Sequence, residues 1–237
     1  MSLDEKAWQA VRSRIALAAR LAGRDPAAVT LLAVSKGQPD AAVRAAYALG
    51  QRAFGENYVQ ESLAKARLLA ALPGIEWHLI GPLQSNKARV AAATFAWVQS
   101  IDRLKIAQRL AADRQAQALP LNVCIQVNIS GESSKSGVVP DAALALATAI
   151  AGLPRLVLRG FMGIAEETPD PARQRAQFHI LRELFDAACA RGLALDTLSM
   201  GMSADLEAAI AEGATQVRLG TALFGDRVPA SKEGAAA

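Results

Sequence analysis

Lys36 follows a short apolar, β-branched run, residues 29–34, with the sequence VTLLAV. A lysine placed there has its stem against a core and its amine at a rim, where burial or a neighbouring cation lowers the amine's proton affinity and lets it condense with an aldehyde. Taken alone, it reads first as a long side chain lying over a loop with its head in water. The residues that end the other apolar runs change that balance: Gly55, Glu56 and Asn57, then His78 with Gly81, Asn128, Met162 and Gly163, Gly201 to Ser203, and Arg218 to Thr221. Two of these segments have the chemistry of an anion site. Met200-Gly-Met-Ser-Ala-Asp205 puts Ser203 where a helix N-cap would sit. Arg218-Leu-Gly-Thr-Ala-Leu-Phe-Gly225 lets the backbone approach a ligand at Gly220, with the Thr221 hydroxyl beside it. Singly these are a capped helix and a glycine turn; with Lys36 opposite them they read as a site for a phosphate and an aldehyde.

Other chemically capable residues carry less. His78, beside Trp77 in an apolar run, reads as a hydrogen-bonded core histidine before it reads as a general acid or base, and His179 sits mid-helix. Glu56 could ligate a metal or act as a base, but no His or Asp stands at ligand spacing, so no metal site is expected. Lys87 begins a helix. The loop Gly131-Glu-Ser-Ser-Lys-Ser-Gly137, which holds Lys135, lacks the Gly-Lys-Ser/Thr order of a P-loop and is set aside as a phosphate cradle. Cys124 and Cys189 have no CxxC or Cys/His spacing and read as reduced core residues.

Eight strand-then-helix units would be needed to bring those strand ends to one place. After an amphipathic lead-in helix over residues 3–21, strands are expected at 29–34, 52–54, 76–80, 95–99, 121–127, 156–161, 197–200 and 216–219. Helices follow at 39–49, 58–72, 86–93, 103–118, 141–151, 171–191 and 204–212, with a short final element after the last strand. Near-continuously apolar strands joined by short loops imply a parallel sheet covered by helices. The count of eight favours a single-domain α/β (β/α)8 TIM barrel over a doubly wound open sheet, and puts the site at the C-terminal ends of the strands. The barrel with its lead-in helix is assigned to residues 1–228, and 229–237 to a flexible tail.

The chain of 237 residues carries a formal charge of +4, with no run of like charge that would track a nucleic-acid backbone. Its start, MSLDEKAWQA, is acidic and amphipathic, and no apolar run approaches ~18 residues. A soluble cytoplasmic protein is expected, binding neither nucleic acid nor membrane.

Five ordered motifs then match one family. Ala33-Val-Ser-Lys36, Phe54-Gly-Glu-Asn-Tyr-Val-Gln-Glu61, Trp77-His-Leu-Ile-Gly-Pro-Leu-Gln-Ser-Asn-Lys87, Leu198-Ser-Met-Gly-Met-Ser-Ala-Asp205 and Arg218-Leu-Gly-Thr-Ala-Leu-Phe-Gly-Asp-Arg227 resemble the pyridoxal phosphate homeostasis protein family, also called the YggS or proline synthase co-transcribed family. The resemblance covers about residues 5–228. It implies a fold like the N-terminal barrel of alanine racemase and pyridoxal 5'-phosphate held as a Schiff base on Lys36. It also implies that Asn57, Ser203, Gly220 and Thr221 help hold the phosphate, and that Arg218 faces the pyridine nitrogen. One departure is visible: Phe161 and Gly163 stand where the family pattern leads us to expect Leu and a different residue.

A guanidinium at the pyridine nitrogen disfavours its protonation and makes the ring a poorer electron sink, which argues against transaminase or decarboxylase chemistry. The implied role is cofactor storage and delivery in vitamin B6 homeostasis, without dedicated catalysis. Its partners are the cofactor itself and apo forms of pyridoxal-phosphate enzymes, and its expected state is a monomer. The alternative from another class is a minor amino-acid racemase. Racemases of this fold draw a second acid/base from a following β domain, for which residues up to 237 leave no room. A cofactor-free interaction barrel is the third reading.

Overall fold

The computed structural model describes residues 4–132 and 135–225. Its strands are β1 (Thr30–Val34), β2 (Ala53–Glu56), β3 (Glu76–Leu79), β4 (Trp97–Ile101), β5 (Leu121–Val127), β6 (Leu156–Gly163), β7 (Thr197–Ser199) and β8 (Gln216–Leu219). They are parallel and pair in chain order, and β8 returns to β1 to close the barrel. The helices are α1 (Glu5–Leu21), α2 (Asp40–Ala48), α3 (Val59–Leu68), α4 (Ala88–Thr94), α5 (Leu104–Asp113), α6 (Pro140–Ala151), α7 (Pro171–Ala190), α8 (Leu206–Ala211) and α9 (Thr221–Phe224). The (β/α)8 barrel expected from the strand count is the architecture found. The proposed tail at 229–237 and the motif residues Asp226 and Arg227 lie outside the described residues.

Two kinds of interior follow from the period-2 alternation of the strands. Along β5, Leu121, Val123, Ile125 and Val127 belong to the apolar core between sheet and helices. Cys124 and Gln126 alternate with them, buried but outside that core, facing the barrel axis. The axis is unusually polar: His78, Gln99, Ser199, Gln216 and Arg218 are all buried there. They are linked. Gln99 Nε2 donates to Gln216 Oε1 at 2.6 Å and meets His78 Nδ1 at 2.9 Å, and Ser199 Oγ donates to Gln99 Oε1 at 2.6 Å. Joined in this way, these side chains avoid most of the cost of burying polar groups.

That polar axis accounts for one departure from the sequence expectation. Strand β4 runs Trp97–Ile101, not 95–99, because Phe95 is the C-cap of α4 and packs in the outer core, while Gln99 is an interior strand residue. Helix α5 stops at Asp113 rather than 118, since Arg114 turns to extended backbone and bonds the carbonyls of Ala92 and Phe95. A third correction concerns Cys189. It is exposed, one position past buried Ala188 on α7, so of the two only Cys124 is buried; both are free.

Between β5 and β6 the register slips: Val123 faces Leu158, but Cys124 faces Gly160, leaving Arg159 as a bulge. Gly160 has φ 151°, and a Cβ there would lie 1.8 Å from the Thr197 carbonyl oxygen. The bulge admits β7 only because no side chain is present. Gly160→Ala is expected to cost roughly 3 kcal/mol or more through strain and backbone displacement, read from the midpoint of urea unfolding; a variant within ~0.5 kcal/mol of the parent would contradict the close approach.

Candidate functional site

Pairing of β1 with β8 sets Leu32 opposite Arg218 and Ala33 opposite Leu219. The turn after the first strand is thereby brought beside the residues that end the last. A cavity of about 410 Å³ opens at this end of the barrel, and Lys36, Asn57, Ser203, Arg218, Gly220 and Thr221 all line it. The six residues that the resemblance assigns to the cofactor are thus gathered around one space, while His78, Asn128, Met162, Gly163 and Gly201 do not line it.

Each is held by something identifiable. Lys36 occupies the turn after β1 and is half-buried. Asn57 follows β2, against Gly81, where a Cβ would stand 2.3 Å from the Asn57 carbonyl oxygen, so the two backbones touch only because residue 81 is glycine. The Asn57 Oδ1 atom is buried with no partner among the described residues. Gly220 precedes α9 and packs on β1, its would-be Cβ 3.2 Å from the Val34 carbonyl. Its own carbonyl accepts from Leu223 and Phe224, starting the short helix that carries Thr221.

Ser203 needs a correction. It lies in the turn before α8, whose N-cap position is Asp205, and Asp205 caps the loop instead, its Oδ1 accepting from the Met202 amide at 2.6 Å. The Ser203 carbonyl accepts from Arg14 Nη1 at 2.8 Å, while the same guanidinium is paired with both carboxylate oxygens of Glu207. Helix α1 therefore holds a site loop in place, a task its amphipathic pattern does not announce.

Arg218 is a buried charge. Nη1 donates to the Ser199 carbonyl at 2.6 Å and to Ser199 Oγ at 3.0 Å, and Nη2 donates to the Gly163 carbonyl at 2.9 Å. Burial pushes its pKa down to about 10, with Asp205 pulling the other way, so the guanidinium stays charged at neutral pH in a setting of dipoles. Gly163, the departure from the family pattern, has a reason here: a Cβ would stand 2.6 Å from Leu181 Cδ1 of α7.

Some cavity residues carried no sequence signal. Glu166, Glu167 and Thr168 form a wall pinned by α7, where Gln177 Oε1 accepts from the Glu166 amide at 2.7 Å and Gln174 Nε2 donates to the Thr168 carbonyl at 2.7 Å. Lys135 also lines the cavity, although the loop carrying it was set aside as a phosphate cradle. Asn128 folds that loop back, donating to the Glu132 carbonyl at 2.8 Å and accepting from the Gly131 amide at 3.2 Å. A glutamine in a helix and a lysine in a loop acquire a place at the mouth only through the tertiary fold.

Glu56 is not a solvent-facing base. It is buried, with Oε1 2.6 Å from Lys65 Nζ and 2.6 Å from Ser35 Oγ. Burial pushes its carboxyl up while Lys65 pulls it back. Among the described residues, no group of three or more His, Cys, Asp or Glu is placed to hold a metal ion, and no helix is long and apolar enough to cross a membrane.

A model of the alanine racemase N-terminal domain matches residues 7–228. The pyridoxal phosphate homeostasis protein of Pseudomonas aeruginosa is 61% identical over 217 residues, covering 92% of this chain and 93% of that protein. The chain belongs to the pyridoxal phosphate homeostasis protein family. PipY of Synechococcus elongatus PCC7942, solved with PLP bound, is 41% identical with a TM-score of 0.78, and the match covers 89% of this chain and all of that one. Beyond the pyridoxal phosphate homeostasis proteins, alanine racemase of Corynebacterium glutamicum shares the fold at 20% identity and a TM-score of 0.66, over 95% of this chain and 64% of that chain.

His78 gives a pH signature to the core beneath the site. It stacks on Trp97 with ring centroids 5.1 Å apart, accepts from Gln99, and stands 3.7 Å from Glu76, beyond hydrogen-bond reach. Desolvation lowers its pKa from the ordinary 6.5, with Glu76 opposing. The folded protein therefore keeps the ring neutral while the unfolded chain takes up a proton. This contribution to stability is present above about pH 6.5 and is lost as the pH falls from there towards the folded value. Urea unfolding at steps from pH 8 to pH 5.5 should show that loss, and His78→Gln should flatten it; parallel pH curves for the two proteins would mean a protonated or solvated ring.

Proposed function

We propose that this protein binds pyridoxal 5'-phosphate, carries it covalently on Lys36, and serves intracellular vitamin B6 homeostasis by storing the cofactor and delivering it to apo-enzymes. One observation carries the reading: Lys36, the buried cation Arg218, Ser203 and Thr221 line a single cavity of about 410 Å³. That volume lies within the range of small-ligand pockets. The names of the relatives, and the PipY structure with PLP bound, support the same ligand.

The residues present fit the cofactor. Asn57 Oδ1 is buried without a partner, a state that costs about 1–3 kcal/mol and that a ligand's polar atom relieves; either end of the amide can turn to meet it. When bound, the cofactor supplies an aldehyde that an unprotonated amine can attack. Lys36 is the amine. Asn57, Ser203, Gly220 and Thr221 take the phosphate, with hydroxyl and backbone donors at the starts of two short helices. Arg218 spends three of its five donors on Ser199 and Gly163, and we place the remaining face beside the pyridine nitrogen. There its charge holds that nitrogen unprotonated by like-charge repulsion, which keeps the bound aldehyde chemically quiet. Dedicated amino-acid turnover is not expected of such a site, and the working unit is a monomer in the cytoplasm.

Borohydride reduction of loaded protein followed by peptide mapping should place the label on Lys36, and Lys36→Ala should lose the label while keeping its near-ultraviolet circular dichroism. Label on Lys87 or Lys135 in the parent protein would refute the assignment. Ser203→Ala and Thr221→Val should each weaken pyridoxal 5'-phosphate about tenfold and leave unphosphorylated pyridoxal nearly unchanged, measured by absorbance titration. Equal losses for the two ligands would move the phosphate site elsewhere.

A further inference from the structure

Lys36 sits at the second position of a tight turn. The Gln38 amide donates to the Ser35 carbonyl at 3.0 Å, and Gly37, third in the turn, has φ 68°, a conformation side chains rarely adopt. A turn of four residues on a strand end has little to hold it but its own hydrogen bond. Here the residues flanking Lys36 are gripped from below by side chains of β2 and α3.

Lys65 of α3 is buried, and its ammonium makes three bonds: to the Ser35 carbonyl at 2.8 Å, to Glu56 Oε1 at 2.6 Å and to Glu61 Oε1 at 3.3 Å. An ammonium has three donors, so all are in use. Glu61 Oε1 also accepts from the Gly37 amide at 2.7 Å, and Glu56 Oε1 accepts from Ser35 Oγ at 2.6 Å. The residue before Lys36 is thus fixed through its hydroxyl and carbonyl, and the residue after it through its amide, by one connected set of charges. Burying the Glu56 carboxylate and the Lys65 ammonium is costly, and a surface loop needs no such anchor. The cost is intelligible if what must be fixed is the position of the amine between them.

We propose that Lys65, Glu56 and Glu61 are positioning residues for Lys36: they set the turn so that its amine meets the carbonyl carbon of an aldehyde held in the cavity. The inference rests on the reading of Lys36 as the attachment point. Amine and aldehyde condense with release of one water, and the step needs the nitrogen unprotonated and in line with the carbonyl, so an error in placement lowers attachment without touching the phosphate end of the ligand.

Lys65→Met would leave the buried Glu56 carboxylate without its cation and is expected to unfold the protein. The informative variant is Glu61→Ala, because the Glu61 side chain is one-third exposed and its removal leaves the Glu56–Lys65 pair in place. Glu61→Gln keeps an acceptor for the Gly37 amide and serves as the rescue. Two ligands are titrated: pyridoxal 5'-phosphate, which can attach, and pyridoxine 5'-phosphate, an alcohol that cannot. Glu61→Ala should lower the affinity or rate of attachment of the aldehyde about tenfold and change the alcohol's affinity less than twofold, with Glu61→Gln recovering most of the loss. In protein without ligand, hydrogen exchange at the Gly37 amide should quicken in Glu61→Ala. Unchanged attachment, equal loss for both ligands, or unchanged exchange at Gly37 would each overturn the proposal. Failure of the underlying reading is seen separately, in the parent protein, as reduced label on a lysine other than Lys36.

Discussion

Strand β1 hydrogen-bonds to β8, and the meeting of Lys36 with Arg218, Gly220 and Thr221 descends from that pairing. Lys36 and Thr221 stand at opposite ends of the sequence, yet the register that puts Leu32 against Arg218 and Ala33 against Leu219 leaves their turns side by side. Because side chains alternate along each strand, the same register decides which residues face the axis and which face the helices. A slip of one position would turn Arg218 into the helix layer, where it would be a buried cation without dipoles. Closure and the chemistry at the mouth are one condition.

Polar groups at the axis give this barrel a character that apolar packing would not. The row from His78 through Gln99 and Gln216 to Ser199 and Arg218 is specific in direction, since each amide must present the correct end to its neighbour. Leu or Val in those places would pack as tightly and fix less. The cost is exposure to error: removing one member leaves its partners dry and unpaired. Arg218 is tolerable at such depth because three oxygens aim at it from β6 and β7. The guanidinium is in turn fixed more firmly than a side chain on a loop could be.

What was legible in the sequence follows from where each signal lives. Runs such as 121–127 and 216–219 are buried on both faces, so their composition alone bounds them, and both strands match in full. Strand β4 was displaced because Gln99 looks like a boundary until one knows the axis is polar. That the six expected residues would share one mouth was legible because a parallel barrel gathers its strand ends there, a rule that needs no side-chain detail, whereas their roles toward a cofactor came from the family resemblance. The clamp around Lys36 was not: Lys65 and Glu61 look like ordinary charges on an amphipathic helix, and only the way α3 packs against β2 brings them under the turn. Ser203 was placed correctly at the mouth but given the wrong local role, since Asp205 two residues on takes the cap position of α8.

Closure through the first and last strands has a meaning for the chain as it is made. Until residues 216–219 leave the ribosome, β1 has an open edge, with backbone donors and acceptors ready to pair with any other strand nearby. That hazard lasts until the eighth strand is made. The same event that ends it also sets Gly220 and Thr221 beside Lys36, so a partly made barrel presents a sticky edge and no assembled pocket, and a finished one presents the reverse.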